Sequence, residues 1–592
     1  MRVLRVLLVA GLPVFTTVSH AEPVPVELQQ VDGKWQLLRD GEPYQIRGAG
    51  GDGSLDRLAA AGANSVRTWN TIDVGPVLDD AHALGMTVTV GIWLQHERHG
   101  FDYSDKGQVR EQLEQAREAV LRYKDHPALL LWGVGNEMEV PESGDDPRVW
   151  AAVNDVAAMI KELDPHHPTM TVTAEIGGGR IEMVHNHTPA IDIHGINAYG
   201  AASSVAERMR EGGATKPYVI TEFGPAGSWE VPTTDWGAPY EQTSTQKADF
   251  YRQSYQRSIL DNPDMALGGY AFLWGAKMEG TATWFGMLLD DGSRLAVLDA
   301  MTELWSGELP ADLAPTIEPV TVDTATAAEP GTEIVAKTSV ADPEGEPVSL
   351  RWVLRPESGD YATGGDFRPA LHDIDGAVLE VAGGTAKVRM PDNPGAYRLF
   401  VYASDPAGNA ATANIPLLVK GEPGTRFPVS VYEERFEHMP WTPSGVMGNA
   451  KSLTLDGGWK ETVFEGANAI RMHYAGRRGW VGVAWQHPPD NWGDEDGGFD
   501  LTGASALEFW VRGESGGEKA SFSVGLLDKK TDYPDSVIVK TRVIELASEW
   551  TKFRIGFEEG DDLSSLKVAF VVTLEGQRSP VTVYLDSIRF VQ

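Results

Sequence analysis

Between residues 22 and 308, short apolar runs alternate with stretches in which apolar positions recur every three or four residues. Short apolar runs suit buried strands, and the longer spacing suits helices with one buried face. Strands are predicted at 44–48, 64–68, 87–93, 129–134, 169–173, 191–197, 218–221 and 270–274, and helices at 55–63, 74–84, 109–123, 149–163, 205–210, 246–260 and 295–305. A hairpin over 35–44, turning at Asp40-Gly41, precedes them. Eight strands alternating with helices over roughly 290 residues suit a (β/α)8 barrel. A doubly wound sheet is the alternative, but the glycines at 48–53 do not follow the GxGxxG register and read as a tight turn.

Helical periodicity stops near Gly307. A Pro- and Thr-rich stretch, 310–330, reads as linker, and from about 314 to 420 short alternating runs separated by turns such as Asp342-Pro343-Glu344-Gly345 predict an immunoglobulin-like sandwich. A second break at 421–424 opens a third, all-β segment. The expected divisions are 1–21, 22–309, 310–422 and 423–592.

Residues 1–21 read as a leader. Arg2 and Arg5 precede an apolar run from Val6 to Val18, and Ser19-His20-Ala21 places small residues before a cleavage point. Export to a periplasm or the medium is therefore expected, and no later segment has the length of a membrane helix. The net charge of −35 over 592 residues argues against nucleic-acid and anionic-membrane partners, and against polyanionic substrates. The absence of cysteine excludes disulfides, thiolate nucleophiles and cysteine-held metals. His166, His167, His185 and His187 have no companion acids at metal-ligand spacing and read as loop residues; no cofactor is expected in the barrel.

Chemistry is expected where barrel strands end. The fourth strand runs into Gly135-Asn136-Glu137 and the seventh into Glu222-Phe223-Gly224, so both finish on a carboxylate. Two carboxylates facing one another across a barrel mouth suit glycoside hydrolysis, one protonating the departing oxygen and the other attacking the anomeric carbon. Trp69, Trp93, Trp229, Trp236 and Trp284 also fall in or near strand-end loops, where they line subsites or pack the barrel.

These two motifs resemble the strand-four and strand-seven signatures of clan A retaining glycoside hydrolases. Tyr44-Gln45-Ile46-Arg47-Gly48 resembles the first strand of the family 2 and family 72 barrels, and Gly195-Ile196-Asn197-Ala198-Tyr199 the sixth strand of family 72. The resemblance covers about residues 30–305. It implies a retaining double displacement with Glu137 as acid/base and Glu222 as nucleophile. It further implies that Arg67 holds the nucleophile ionised, that Asn136 bonds the sugar 2-hydroxyl, that Tyr199 contacts the nucleophile, and that Trp274 forms an aromatic floor beneath the sugar. Trp69 joins this substrate-binding set.

The C-terminal segment resembles galactose-binding-like jelly rolls of carbohydrate-binding modules, on 501–511 and the closing 584–590. Trp480, Trp485 and Trp492 are candidates for a stacking platform. A structural Ca²⁺ between Glu437 and Asp586 is the one metal that this likeness suggests. The expected partner is an oligo- or polysaccharide, and the expected activity is cleavage or transfer of β-linked neutral glycans, β-1,3-glucan foremost. An exo-acting β-glycosidase such as a β-galactosidase, and a non-catalytic glycan-binding protein, are the alternatives.

Overall fold

The computed structural model describes residues 23–97, 101–139, 146–357, 361, 371, 373–421, 427–436, 439–558 and 560–592. The expected leader lies outside them. Eight parallel strands close into a barrel in the order Ile46–Gly51, Ser65–Arg67, Thr87–Ile92, Leu129–Asn136, Thr169–Ala174, Ile193–Asn197, Tyr218–Phe223 and Ala266–Trp274, the last pairing with the first. Each predicted strand is present. The eighth begins four residues before its predicted start, at Ala266, and takes in Gly268-Gly269. Gly268 (φ 126°) passes so near the first strand that a Cβ would lie 2.1 Å from the Ile46 carbonyl oxygen.

A meander of Val26–Val31, Lys34–Arg39 and Glu42–Pro43 precedes the barrel, one strand more than the expected hairpin. Both of its turns are Asp-Gly pairs with positive φ, Asp32-Gly33 and Asp40-Gly41, the conformation that tight hairpins need. It closes the barrel floor. Val26 and Leu37 pack with Leu130, Leu131, Met170 and Val219, and the Val26 and Trp35 amides donate to the carbonyls of His166 and Asp264, just ahead of the fifth and eighth strands. The opposite end is thus left for chemistry.

Helices form where capping residues meet an apolar stripe. Asp105 starts Lys106–Tyr123, Asp146 starts Pro147–Leu163 with proline in the first turn, and a Thr243/Gln246 capping box starts Ser244–Tyr255. The helix expected over 246–260 ends at Tyr255 and widens into a π-type turn, Gln256–Leu260, where the Ser258 hydroxyl donates back to the Ser254 carbonyl.

A neutral histidine chain sits against the sixth strand. His185 Nδ1 accepts from the Thr215 amide at 2.9 Å, His185 Nε2 faces His194 Nδ1 at 3.3 Å, and His194 Nε2 meets the Thr173 hydroxyl at 2.9 Å. Burial, then the Lys216 ammonium, holds His185 down at about 4, and burial holds buried His194 well below the usual histidine value. The unfolded chain binds protons near pH 6.5 that the fold refuses, so this contribution is full above pH 6.5 and is lost as pH falls toward 4. The urea midpoint should drop between pH 7 and 5.5, and the drop should shrink in His185→Gln. An identical drop in that variant would contradict the assignment.

The sandwich that follows has one sheet of Ser349–Pro356, Gly395–Ser404 and Asn409–Val419, and another of Thr321–Val322, Glu333–Lys337, Thr385–Arg389 and Val378–Ala382. Its core includes Trp352, Leu399, Val401 and Leu417. The expected linker is not free chain. Ala314 and Ile317 donate their amides to Asp299 and Thr245 of the barrel, and Ala327–Ala328 joins the first sheet. The barrel's Arg294–Leu295 pairs with Asn409 and Ala410, so the two bodies share a sheet. A buried set of polar groups seals the same seam. Glu241 accepts from Lys247, Thr281, Thr283 and Asn414, while Arg398 pairs with Glu357 and donates to the Pro239 carbonyl.

The third body is a β-sandwich of two six-stranded sheets around Trp441, Trp485, Phe509, Phe522, Phe570 and Phe590. Trp485 is therefore removed from the expected platform. Strand Trp480–Gln486 alternates faces, and position 485 points into the core while Trp480 stays exposed, as does Trp492 in the loop beyond. Asp586 does not fit a Ca²⁺ ligand. Its carboxylate faces the amides of Phe464, Glu465 and Ser587, donors where a cation would need more oxygens. Glu437 lies outside the described residues. Among those described, no three acidic or histidine side chains gather at a metal-binding distance, and no helix is long and apolar enough to cross a membrane.

Candidate active site

Strands two, four, six and seven each deliver side chains to the mouth that the meander leaves open. Glu222, last but one in its strand, is held on both carboxylate oxygens. Oε1 accepts from Arg67 Nη1 and from Trp69 Nε1, each at 2.8 Å, and Oε2 accepts from the Tyr199 hydroxyl at 2.7 Å. The Arg67–Glu222 ion pair is almost wholly buried. Three donors, two from the end of the second strand and one from the end of the sixth, therefore fix one carboxylate, with the guanidinium supplying charge as well as geometry.

Glu137 is bonded more sparingly. Its backbone turns into the left-handed region (φ 53°), with its amide donating to the Val172 carbonyl, and Oε1 accepts from Asn197 Nδ2 at 2.7 Å. Burial, then the negative charge of Glu222, pushes its carboxyl up to about 8. At neutral pH it therefore keeps its proton. The two glutamates are tied through one hub: Asn136 Oδ1 accepts from Arg67 Nη2 at 2.6 Å and from Asn197 Nδ2 at 3.3 Å. Asn197 Oδ1 in turn accepts from the Thr221 hydroxyl at 2.8 Å, next to Glu222. Behind Glu137, Glu139 is buried, accepts from the Ala174 amide and Arg180 Nε, and is pushed up to about 7 by burial.

Residues 62–258, which carry Arg67, Glu137, Tyr199 and Glu222, match the family model described as "Glycosyl hydrolases family 2, TIM barrel domain". Residues 429–592 match the model described as "Carbohydrate binding domain 30". The chain carries a family 2 glycosyl hydrolase barrel and a carbohydrate-binding domain. No curated protein matches it. Among solved structures, a β-D-glucuronidase of Dictyoglomus thermophilum is 19% identical over 48% of this chain and 54% of its own, with a TM-score of 0.38. A β-glucuronidase from Ruminococcus gnavus is 15% identical over 48% and 52%, with a TM-score of 0.38. An endo-1,4-β-mannanase from Eisenia fetida is 16% identical over 42% and 90%, with a TM-score of 0.30. The chain spans about half the length of the β-glucuronidases it matches.

Within the family 2 barrel, the structure brings Arg67, Trp69, Asn136, Glu137, Tyr199 and Glu222 together, and it leaves Trp274 apart. The Trp274 indole has no exposed surface. It lies against Gly53, where a Cβ would sit 2.7 Å from Nε1, and Nε1 reaches the Ser54 carbonyl. Gly51 and Gly53 make room for Trp274, Gly50 for the Trp69 ring and Gly48 for Tyr270, close approaches that a turn reading of this stretch missed. The aromatic that borders the site from the eighth strand is Phe272, edge-on to both Trp69 and Tyr199 at centroid distances of 6.0 and 5.8 Å. Trp284 is likewise buried, its Nε1 on the Ala226 carbonyl. Asn197 and Glu139 were missed as well. Asn197 lay inside the quoted sixth-strand motif, and Glu139 is simply the next acid after Glu137.

Arg67→Met should cut kcat by about 100-fold, because freeing one end of the Glu222 clamp lets the carboxylate drift by a fraction of its reach. Steady-state kinetics on an aryl glycoside checks this, and a change of less than about threefold would remove Arg67 from the site.

Proposed function

We propose that the protein is a retaining β-glycoside hydrolase in which Glu137 is acid/base and Glu222 nucleophile. The observation that carries this reading is the contrast between the two carboxyls, one kept protonated by burial and a neighbouring charge, the other gripped by three donors. A Glu222 oxygen attacks the anomeric carbon while Glu137 passes its proton to the glycosidic oxygen, whose bond to that carbon breaks. The Glu137 carboxylate, now charged, takes a proton from water, and the water oxygen displaces Glu222. The configuration is inverted twice and so retained. The Asn136 amide nitrogen has no protein partner among the described residues and is free to donate to the sugar 2-hydroxyl.

The substrate we propose is a neutral β-linked glycan, with β-1,3-glucan favoured. An uncharged sugar is supported by cations that follow or end the barrel strands: among the described residues, Arg67, Arg180 and Lys277 each lie against a carboxylate. The glucan preference rests on the sixth-strand motif around Asn197 and Tyr199. Proton NMR of the first-formed product from an aryl β-glycoside tests the mechanism: the β-anomer is expected, and an initial α-anomer would overturn retention. Sizing the products from a panel of β-glucans, mannan, xylan and galactan identifies the glycan, and products longer than the input would assign the second step to a sugar acceptor instead of water.

A further inference from the structure

Trp229 stands in the loop after the nucleophile strand and is 50% exposed, the most open tryptophan among the described residues. An exposed indole on a surface loop is usually loosely held, and this one is not. Its ring meets Tyr199 edge-on at 5.7 Å between centroids and lies 6.4 Å from Phe285. Tyr199 is the residue whose hydroxyl bonds Glu222, so the indole stands one ring away from that carboxylate. The next residue, Glu230, clamps the loop. Its Oε2 accepts from the Gly200 and Gly227 amides, both at 2.7 Å, tying together the loops that follow strands six and seven. Ser228 adds a hydrogen bond to the Tyr361 carbonyl of the sandwich at 3.2 Å.

Two glycines permit this arrangement. A Cβ on Gly227 would fall 2.5 Å from the indole, and one on Gly200 would fall 2.8 Å from the Glu230 carboxylate. Sequence, clamp and packing thus cooperate to hold a wide apolar face open to water at the rim of the catalytic mouth. Burying that face within the protein would be the more stable choice, so what the rigid exposure offers is a surface for a ligand. The C–H face of a pyranose ring matches an indole in size and polarity.

We infer that Trp229 is the stacking platform for a second sugar, adjoining the one held between Glu137 and Glu222, and that the substrate is therefore an oligosaccharide chain. This inference rests on the glycoside hydrolase reading above. The test compares pentasaccharides of β-1,3-glucan, β-1,4-glucan, β-1,4-mannan and β-1,4-galactan with the 4-nitrophenyl β-glycosides of the same sugars. In Trp229→Ala, the ratio of kcat/KM for the pentasaccharide to that for the aryl glycoside should fall about tenfold, through KM. Trp229→Tyr should recover most of the loss, and Gly227→Ala, which displaces the ring, should imitate Trp229→Ala. An unchanged ratio in Trp229→Ala, with both substrates still cleaved, overturns the platform alone. A wild-type protein that cleaves none of the seven substrates overturns the hydrolase reading and the platform with it.

Discussion

Glu222→Ala is expected to lose turnover on every β-glycoside, activated or natural, by on the order of 10⁴-fold or more. The reason is that no other group replaces the covalent intermediate, since the donors around Glu222 (Arg67, Trp69 and Tyr199) are all aimed at its two oxygens. A loss of that size corresponds to about 5.5 kcal/mol of barrier. Added azide should restore part of the activity by entering the space the side chain vacates, and the glycosyl azide should have inverted configuration, because only one displacement then takes place. Glu222→Gln, which keeps the shape, should be equally inactive, and circular dichroism separates that result from misfolding. Residual activity within about tenfold of wild type would show that another group attacks the sugar.

Glu137→Ala should behave differently on different leaving groups. General acid assistance is worth about 10²- to 10⁴-fold, and natural glycans, whose alkoxide leaves poorly, should lose all of it. Glycosides of acidic phenols leave without a proton, so the first step on them should survive and the glycosyl enzyme accumulate. The pH profile carries the second signature. Burial and the nearby Glu222 charge raise Glu137 to about 8, so the wild-type rate on natural glycans should hold through neutrality and fall as pH rises past about 8, when the acid loses its proton. That limb should be missing from Glu137→Ala. Equal losses on activated and natural substrates would remove Glu137 from the acid role.

Much of the architecture is legible in the sequence because barrel strands are buried on both sides and read as unbroken apolar runs. Leu129-Leu130-Leu131-Trp132 is such a run, and the acids that end these runs stand out against them. Misreadings arose where a residue's role depends on a partner distant in the chain. Gly268-Gly269 joins the eighth strand only once the first strand is laid against it, and Trp274 resembles a sugar platform until Gly53 is seen to receive its indole. Trp485 and Trp480 differ only in strand parity, which the register with Phe570 and Glu575 decides. Asn197 carries no mark of its own as a link between the glutamates. Its position is set by two other strands at once, the fourth through Asn136 and Glu137 and the seventh through Thr221.

The most direct experiment is to incubate the protein with a β-configured cyclophellitol-type epoxide, digest it and locate the label by mass spectrometry. A retaining enzyme with this geometry carries the label as an ester on the peptide containing Glu222, and Glu222→Gln carries none. A label on a different carboxylate, or glycan cleavage by protein that no such epoxide modifies, would contradict the assignment of Glu222 as nucleophile.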